Sequence, residues 1–117
     1  MMERLTEKWQ FERVFREGKK VLNDVFVIYI APNGLGINRL GIAATKKLGK
    51  AVRRNRVKRL IRESYRALEE KLKKGYDIVV VGRSPAVRMK CQQTLAAMSE
   101  LFKRAKIVED GDEGVAR

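Results

Sequence analysis

The sequence contains no histidine, a single cysteine (Cys91) and only two prolines in 117 residues. Without histidine there is no imidazole acid–base chemistry and no histidine metal site. A lone cysteine excludes an intramolecular disulfide and the paired spacing of a zinc ribbon. Long hydrophobic runs are missing as well: the longest, Val25 to Pro32, is far too short to span a bilayer. The first residues, with Glu3 and Glu7 among them, do not have the charge pattern of a signal peptide. The expectation is a cytoplasmic protein with no membrane association.

Negative charge is the other scarcity. There are 14 acidic residues against 27 lysines and arginines, a net charge of +13. The surplus is concentrated: residues 46–66 hold ten basic residues and one acid, Glu63, whereas the earlier and later segments are close to balanced or modestly basic. A one-signed block of this kind is the electrostatic footprint of a polyanion partner. Residues 107–117 are acidic and poor in apolar side chains, and are expected to form a flexible tail beyond a single domain spanning 1–106.

Hydrophobic periodicity outlines six elements. Thr6 is a candidate N-cap for a helix carrying Phe11, Val14 and Phe15, ended by Gly18. Val25 to Ala31 is β-branched and aromatic, hence a strand; a Pro32–Gly36 turn leads to a second strand at Arg39–Thr45, expected to pair with the first as a hairpin. A helix is expected from Ala51 to about Lys73, then a buried central strand at Tyr76–Gly82, whose apolar run is continuous. A last amphipathic helix, about Lys90 to Lys106, aligns Leu95, Met98, Leu101, Phe102 and Ala105. The order αββαβα with a small mixed sheet implies an α+β, two-layer domain.

The long helix carries the functional argument. At about 100° per residue, Val57, Leu60, Ile61, Ser64, Tyr65, Leu68 and Leu72 fall on one side, while Asn55, Arg56, Lys58, Arg59, Arg62 and Arg66 occupy the opposite arc. Like charges three and four residues apart repel. A solvated charged face ordinarily alternates in sign, and this one does not, so contact with nucleic acid is favoured over the plain solvated face. A membrane-surface helix fits less well, because its apolar stripe is required by the core.

The run Lys46-Lys47-Leu48-Gly49-Lys50-Ala51-Val52-Arg53-Arg54-Asn55-Arg56-Val57-Lys58-Arg59-Leu60-Ile61-Arg62-Glu63 closely resembles the signature of the protein subunit of bacterial ribonuclease P. Phe11, Phe15, Gly18 and Lys19 match that family's first helix. Phe26-Val27-Ile28-Tyr29, Arg39-Leu40-Gly41-Ile42 and Asp77 to Val80 match its strands, so the resemblance covers about residues 5–105. It implies a protein cofactor of the enzyme that removes the 5′ leader from precursor tRNA, with a catalytic RNA subunit performing the chemistry. The Mg²⁺ ions would be used by that RNA and not held by protein residues alone. The family fold is α+β with a left-handed strand–helix–strand crossover, against the usual preference.

Carried over by position, Arg54, Asn55, Arg56, Lys58, Arg59 and Arg62 are the residues expected to contact the RNA subunit. Lys46, Lys47, Lys50 and Arg53 extend that surface. Phe11, Phe15 and Tyr29 correspond to the aromatics of a cleft for the leader. On spacing alone the two phenylalanines are equally what a core requires, and only the resemblance moves them toward a cleft. Neither a catalytic protein residue nor an obligate protein partner is expected. The alternative function is a general RNA-binding or ribosome-associated protein with no enzyme partner.

Overall fold

The computed structural model describes residues 2–109. The apolar run Tyr76–Gly82 forms the middle strand of the sheet, here β5. Ile78 and Val80 face one layer, and Val79 and Val81 the other, so the strand is buried on both sides. Its neighbours are β3 (Phe26–Pro32), antiparallel with Phe26 opposite Gly82, and β4 (Arg39–Ala43), parallel with Arg39 opposite Asp77. Two short strands complete the sheet at its edges. β1 (Glu3–Arg4) runs parallel to β4, and β2 (Lys19–Leu22) antiparallel to β3, giving the order β1-β4-β5-β3-β2. Neither edge strand is among the six expected elements.

The expected hairpin does not form. Strands β3 and β4 each pair with β5 and not with one another. A strand apolar on both faces needs a hydrogen-bonded neighbour on each edge, and the intervening loop crosses the beginning of β5 to supply them. Two asparagines fasten that crossing. Asn33 donates to Asp77 Oδ1 at 2.9 Å; Asn38 donates to the Lys73 carbonyl at 2.9 Å and accepts from the Tyr76 amide at 2.8 Å.

Helices α2 (Ala51–Leu68) and α3 (Cys91–Arg104) pack on one face of the sheet over the main core of Phe26, Ile28, Leu40, Val57, Ile61, Tyr65, Ile78, Val80, Met98, Leu101 and Phe102. The Ser64 and Thr94 hydroxyls meet at 2.9 Å between the two helices. Thr94 donates onward to the Cys91 carbonyl, so both buried hydroxyls are satisfied. Gly82 lets α2 lie close to the sheet, since an added Cβ would stand 2.5 Å from Val57 Cγ1.

Helix α1 (Lys8–Glu17) lies on the opposite face with Leu5, Val14, Ala31 and Val79. The α+β class and the mixed sheet are as expected. The two-layer description fits the main core, and α1 adds a partial third layer on the other face. Glu7, not Thr6, stands at the N-cap of α1, where its amide and that of Thr6 donate to Gln10 Oε1. Gly18 has an ordinary φ of −78°; it is small because Val14 O lies 2.5 Å from where its Cβ would be. Val25, expected to open the strand, precedes β3 and is buried in the main core.

α2 stops at Leu68, short of the expected Lys73. A 3-10 turn at Glu69–Lys71 then swings the buried Leu72 into the core. At the other end, Lys106 adopts φ 63°, and the amides of Lys106 and Ile107 bond back to the carbonyls of Lys103 and Phe102. This left-handed cap turns the chain inward, so Ile107 is buried and Val108 bridges to Leu72. Ile107 and Val108 thus pack onto the domain, and the Glu109 amide donates to the Lys71 carbonyl at 2.8 Å. The remaining tail lies outside the described residues.

Asp77 is wholly buried at the start of β5. Arg39 grips it with a bidentate pair at 2.8 and 2.8 Å, and Arg13 of α1 donates at 2.9 Å. Burial alone would raise its pKa, but the hydrogen bonds from Arg39, Asn33 and Arg13, with the charge of Arg39, outweigh it and hold the carboxyl below the ordinary aspartate value. A lowered native pKa gives stability that is present above the unfolded value and lost as pH falls through the folded one. Replacing Asp77 by Ala leaves two arginines facing each other, and should lower the unfolding free energy in urea by about 3–5 kcal/mol at neutral pH. The variant should also lose less stability than the parent on acidification below about pH 4. An unchanged urea midpoint would show that the cluster holds nothing together.

Candidate nucleic-acid interface

The outward face of α2 presents Val52, Asn55, Arg56, Arg59 and Arg62 around a shallow groove of about 380 Å³. Lys46 and Lys47 stand on a 3-10 turn (Lys46–Leu48) leading into the helix, pinned by buried Leu48. Among the described residues, none of the ion pairs involves any basic residue of 46–66. The ion pairs present join Glu12, Glu17, Asp77 and Glu100 to Lys8, Arg13, Arg16, Arg39 and Arg104. The start of α2 compounds the imbalance. Lys50 at the N-cap makes no side-chain capping bond, and the first turn has no acid. Positive charge at the positive end of a helix dipole is unfavourable, and a bound anion offsets it.

The expected contact residues divide by placement. Lys46, Lys47, Lys50, Arg53, Asn55 and Arg59 are exposed; Lys58 and Arg62 are half-buried. Arg54 is half-buried and lies about 60° round from Val57, toward the packed side of the helix. Its Nε is buried without a hydrogen-bond partner. Arg56 is already engaged: Nε donates to the Val87 carbonyl at 3.0 Å and Nη2 to the Met89 carbonyl at 2.7 Å. Two further residues belong to this face. Arg66 is exposed on the same arc, and Val52, an apolar residue 79% exposed, sits within it. Val52 was legible in the wheel, where it falls among the cations, but an apolar side chain carries no charge signal.

The three aromatics lie on the other face of the sheet. Phe15 is 42% exposed and meets Tyr29 edge-on, the ring centroids 4.9 Å apart at 86°. Lys20 Nζ is 5.8 Å from the Tyr29 centroid. Phe11 is half-buried against Gly41, whose added Cβ would lie 2.7 Å from the ring. Phe15 and Tyr29 thus form an open aromatic edge beside a lysine, while Phe11 is mainly packing beneath it. Among the described residues there is no group of three or more histidines, cysteines or carboxylates able to hold a metal ion. No described helix is long and apolar enough to cross a membrane.

A mixed α+β domain whose long helix turns a row of cations outward, none in an ion pair among the described residues, has the electrostatic footprint of a polyanion-binding protein. Residues 2–106 match the model of the Ribonuclease P family. The chain is 41% identical over 113 residues to the ribonuclease P protein component of Caldanaerobacter subterraneus subsp. tengcongensis, covering 94% of this chain and 97% of that one. It is 46% identical over 99 residues to the component from Clostridium botulinum strain Langeland, covering 84% and 89%. The structure of the Staphylococcus aureus RNase P protein superposes with a TM-score of 0.83 at 34% identity, over 93% of this chain and 100% of that one. The Thermotoga maritima protein gives 0.79 at 38%, over 87% and 96%. The chain belongs to the bacterial ribonuclease P protein component family, the protein subunit of a tRNA-processing holoenzyme.

Arg59 has Arg56 and Arg62 as its like-charged neighbours at three residues' distance, and each such pair costs about 0.2–0.5 kcal/mol. Arg59→Glu should keep the parent's circular dichroism and, at low salt, a melting midpoint no lower than the parent's, while weakening RNA binding. A melted variant would place Arg59 in the core and contradict the assignment of this face to solvent or ligand.

Proposed function

We propose that this protein grips the catalytic RNA subunit of ribonuclease P with the outer face of α2 and holds the 5′ leader of precursor tRNA in the aromatic cleft beside α1. The observation that carries the reading is the placement of the two surfaces on opposite faces of one sheet. α2 packs over Ile28 and Val80, whereas Tyr29 and Val79 face α1. Two RNA segments can then be held together without competing for the same side chains. Asn55 donates to phosphate and accepts from a 2′-hydroxyl, while Arg59 and Arg62 offer planar forks to phosphate oxygens. Phe15 and Tyr29 offer ring faces to unpaired bases, with Lys20 beside them for the backbone.

The cleavage chemistry belongs to the RNA subunit with its own Mg²⁺ ions, in the cytoplasm, and residues 2–109 act as one RNA-binding domain without an obligate protein partner. The make-up of the chain supports this division. It has no histidine, and its fully buried carboxylate, Asp77, is saturated by two arginines and an asparagine. Protein-catalysed phosphodiester cleavage relies on a general base or on carboxylates gathered around metal ions.

The test is a cleavage assay with purified components. The chain alone should leave precursor tRNA intact, and mixed with the RNA subunit it should accelerate leader removal at low Mg²⁺. Binding without acceleration would favour a general RNA-binding protein, and cleavage by the chain alone would contradict the reading. For the cleft, Tyr29→Ala should weaken holoenzyme affinity for leader-bearing precursor by about 1–3 kcal/mol per unstacked base and leave mature tRNA unaffected. Equal losses for both RNAs would remove the leader from the cleft.

A further inference from the structure

Beside the start of α2 lies a second basic groove, of about 370 Å³, that adds Ser84 and Arg88 to the Lys47 and Arg53 already expected on the RNA-facing surface. Lys47, Arg53, Ser84 and Arg88 line it. Three cations reach it from three separate elements: the 3-10 turn before α2, the first turn of α2, and a second 3-10 turn at Ser84–Arg88. All four side chains are exposed, no carboxylate lines the groove, and none of these cations takes part in an ion pair among the described residues. Arg88 and Ser84 lie far along the chain from the block of charge at 46–66, so the fold alone brings them to it.

The walls are fixed from below. Leu48 and Ala86 are buried, anchoring one residue of each turn in the core. Gly49 takes φ 112°, and an added Cβ would lie 3.0 Å from Arg53 Cδ, so the glycine leaves room for the Arg53 side chain to lie across the turn. Arg56 clamps the opposite wall through its bonds to the carbonyls of Val87 and Met89, the residues on either side of Arg88. Two donors of its fork are thereby committed to the protein.

We infer that Lys47, Arg53, Ser84 and Arg88 form a binding site for the phosphodiester backbone of the RNA subunit, continuous with the α2 face, and that Arg56 is a positioning residue that holds Arg88 in place. Guanidinium forks and a hydroxyl match phosphate oxygens, and three like charges on rigid supports are relieved when such an oxyanion sits between them. The groove borders α2 through Arg53, so a strand of RNA lying on the helix reaches it without a break.

The inference rests on the proposed role of α2, and the experiment separates the two. Affinity of the full chain for the RNA subunit is measured across a salt series for the parent, Arg88→Gln, Arg56→Lys, their double variant and Arg59→Gln. Arg88→Gln should reduce the log–log salt slope by about 0.7–0.9, the value for one lost phosphate contact. Arg56→Lys keeps its charge but loses the fork, and should reproduce that reduction; the double variant should add nothing further, because both act through one contact. Additive losses would make Arg56 an independent RNA ligand and overturn its positioning role. A reduced slope for Arg59→Gln with an unchanged slope for Arg88→Gln would overturn the groove and leave the α2 reading standing. Failure of the parent to bind the RNA subunit would overturn both. A loss seen only against precursor tRNA in the assembled holoenzyme would overturn the assignment to the RNA subunit. Arg88 is exposed, so a folding defect does not confound its variant.

Discussion

A row of cations that makes no ion pair among the described residues is the constraint around which this molecule is arranged. Asn55, Arg59, Arg62 and Arg66 recur at three- and four-residue steps along α2, and every ion pair among the described residues lies elsewhere. Such a helix is not stabilised by its own surface. It is held by the face it buries, where Val57, Ile61 and Tyr65 meet the sheet and α3, and by the close seat that Gly82 allows. Arg59, Arg62 and Arg66 make no ion pair among the described residues, and on the proposed reading a polyanion completes them. Membership of the ribonuclease P protein family identifies that partner class as RNA.

The same economy of charge explains the interior. Asp77 opens the central strand and draws Arg13 from α1 and Arg39 from β4 onto one carboxylate. That cluster ties the helix on one face of the sheet to the strand whose crossover leads to α2 on the other. The aromatic edge of Phe15 and Tyr29 and the cationic helix are thus set by one scaffold. β5, buried on both sides, makes the two surfaces face away from each other.

Much of this was legible in the chain. The apolar stripe of α2 has the 3.6-residue period that fixes its buried side, and the cations fall opposite it as a consequence. The run Ile78–Val81 has no polar face, and so had to be central. What escaped was set by partners distant in sequence. The hairpin between β3 and β4 failed because the demand of β5 for neighbours on both edges outweighs proximity along the chain. Strand β1 is two residues long and carries no pattern at all. Arg56 has the same charge and the same helical arc as Arg59, yet its fork is bound to the Val87 and Met89 carbonyls, a contact across 31 and 33 residues. Phe11 and Phe15 share a helical spacing that cannot tell packing from a cleft. Only the fold separates the half-buried ring against Gly41 from the exposed one against Tyr29.

The most direct measurement is the salt dependence of the unmodified chain's affinity for the RNA subunit of ribonuclease P. With five to eight phosphates neutralised, the log–log slope should lie between about −3.5 and −7. A slope near zero, or equal affinity for an uncharged polymer, would mean that the cations of α2 face only water, and the account would fail at its foundation.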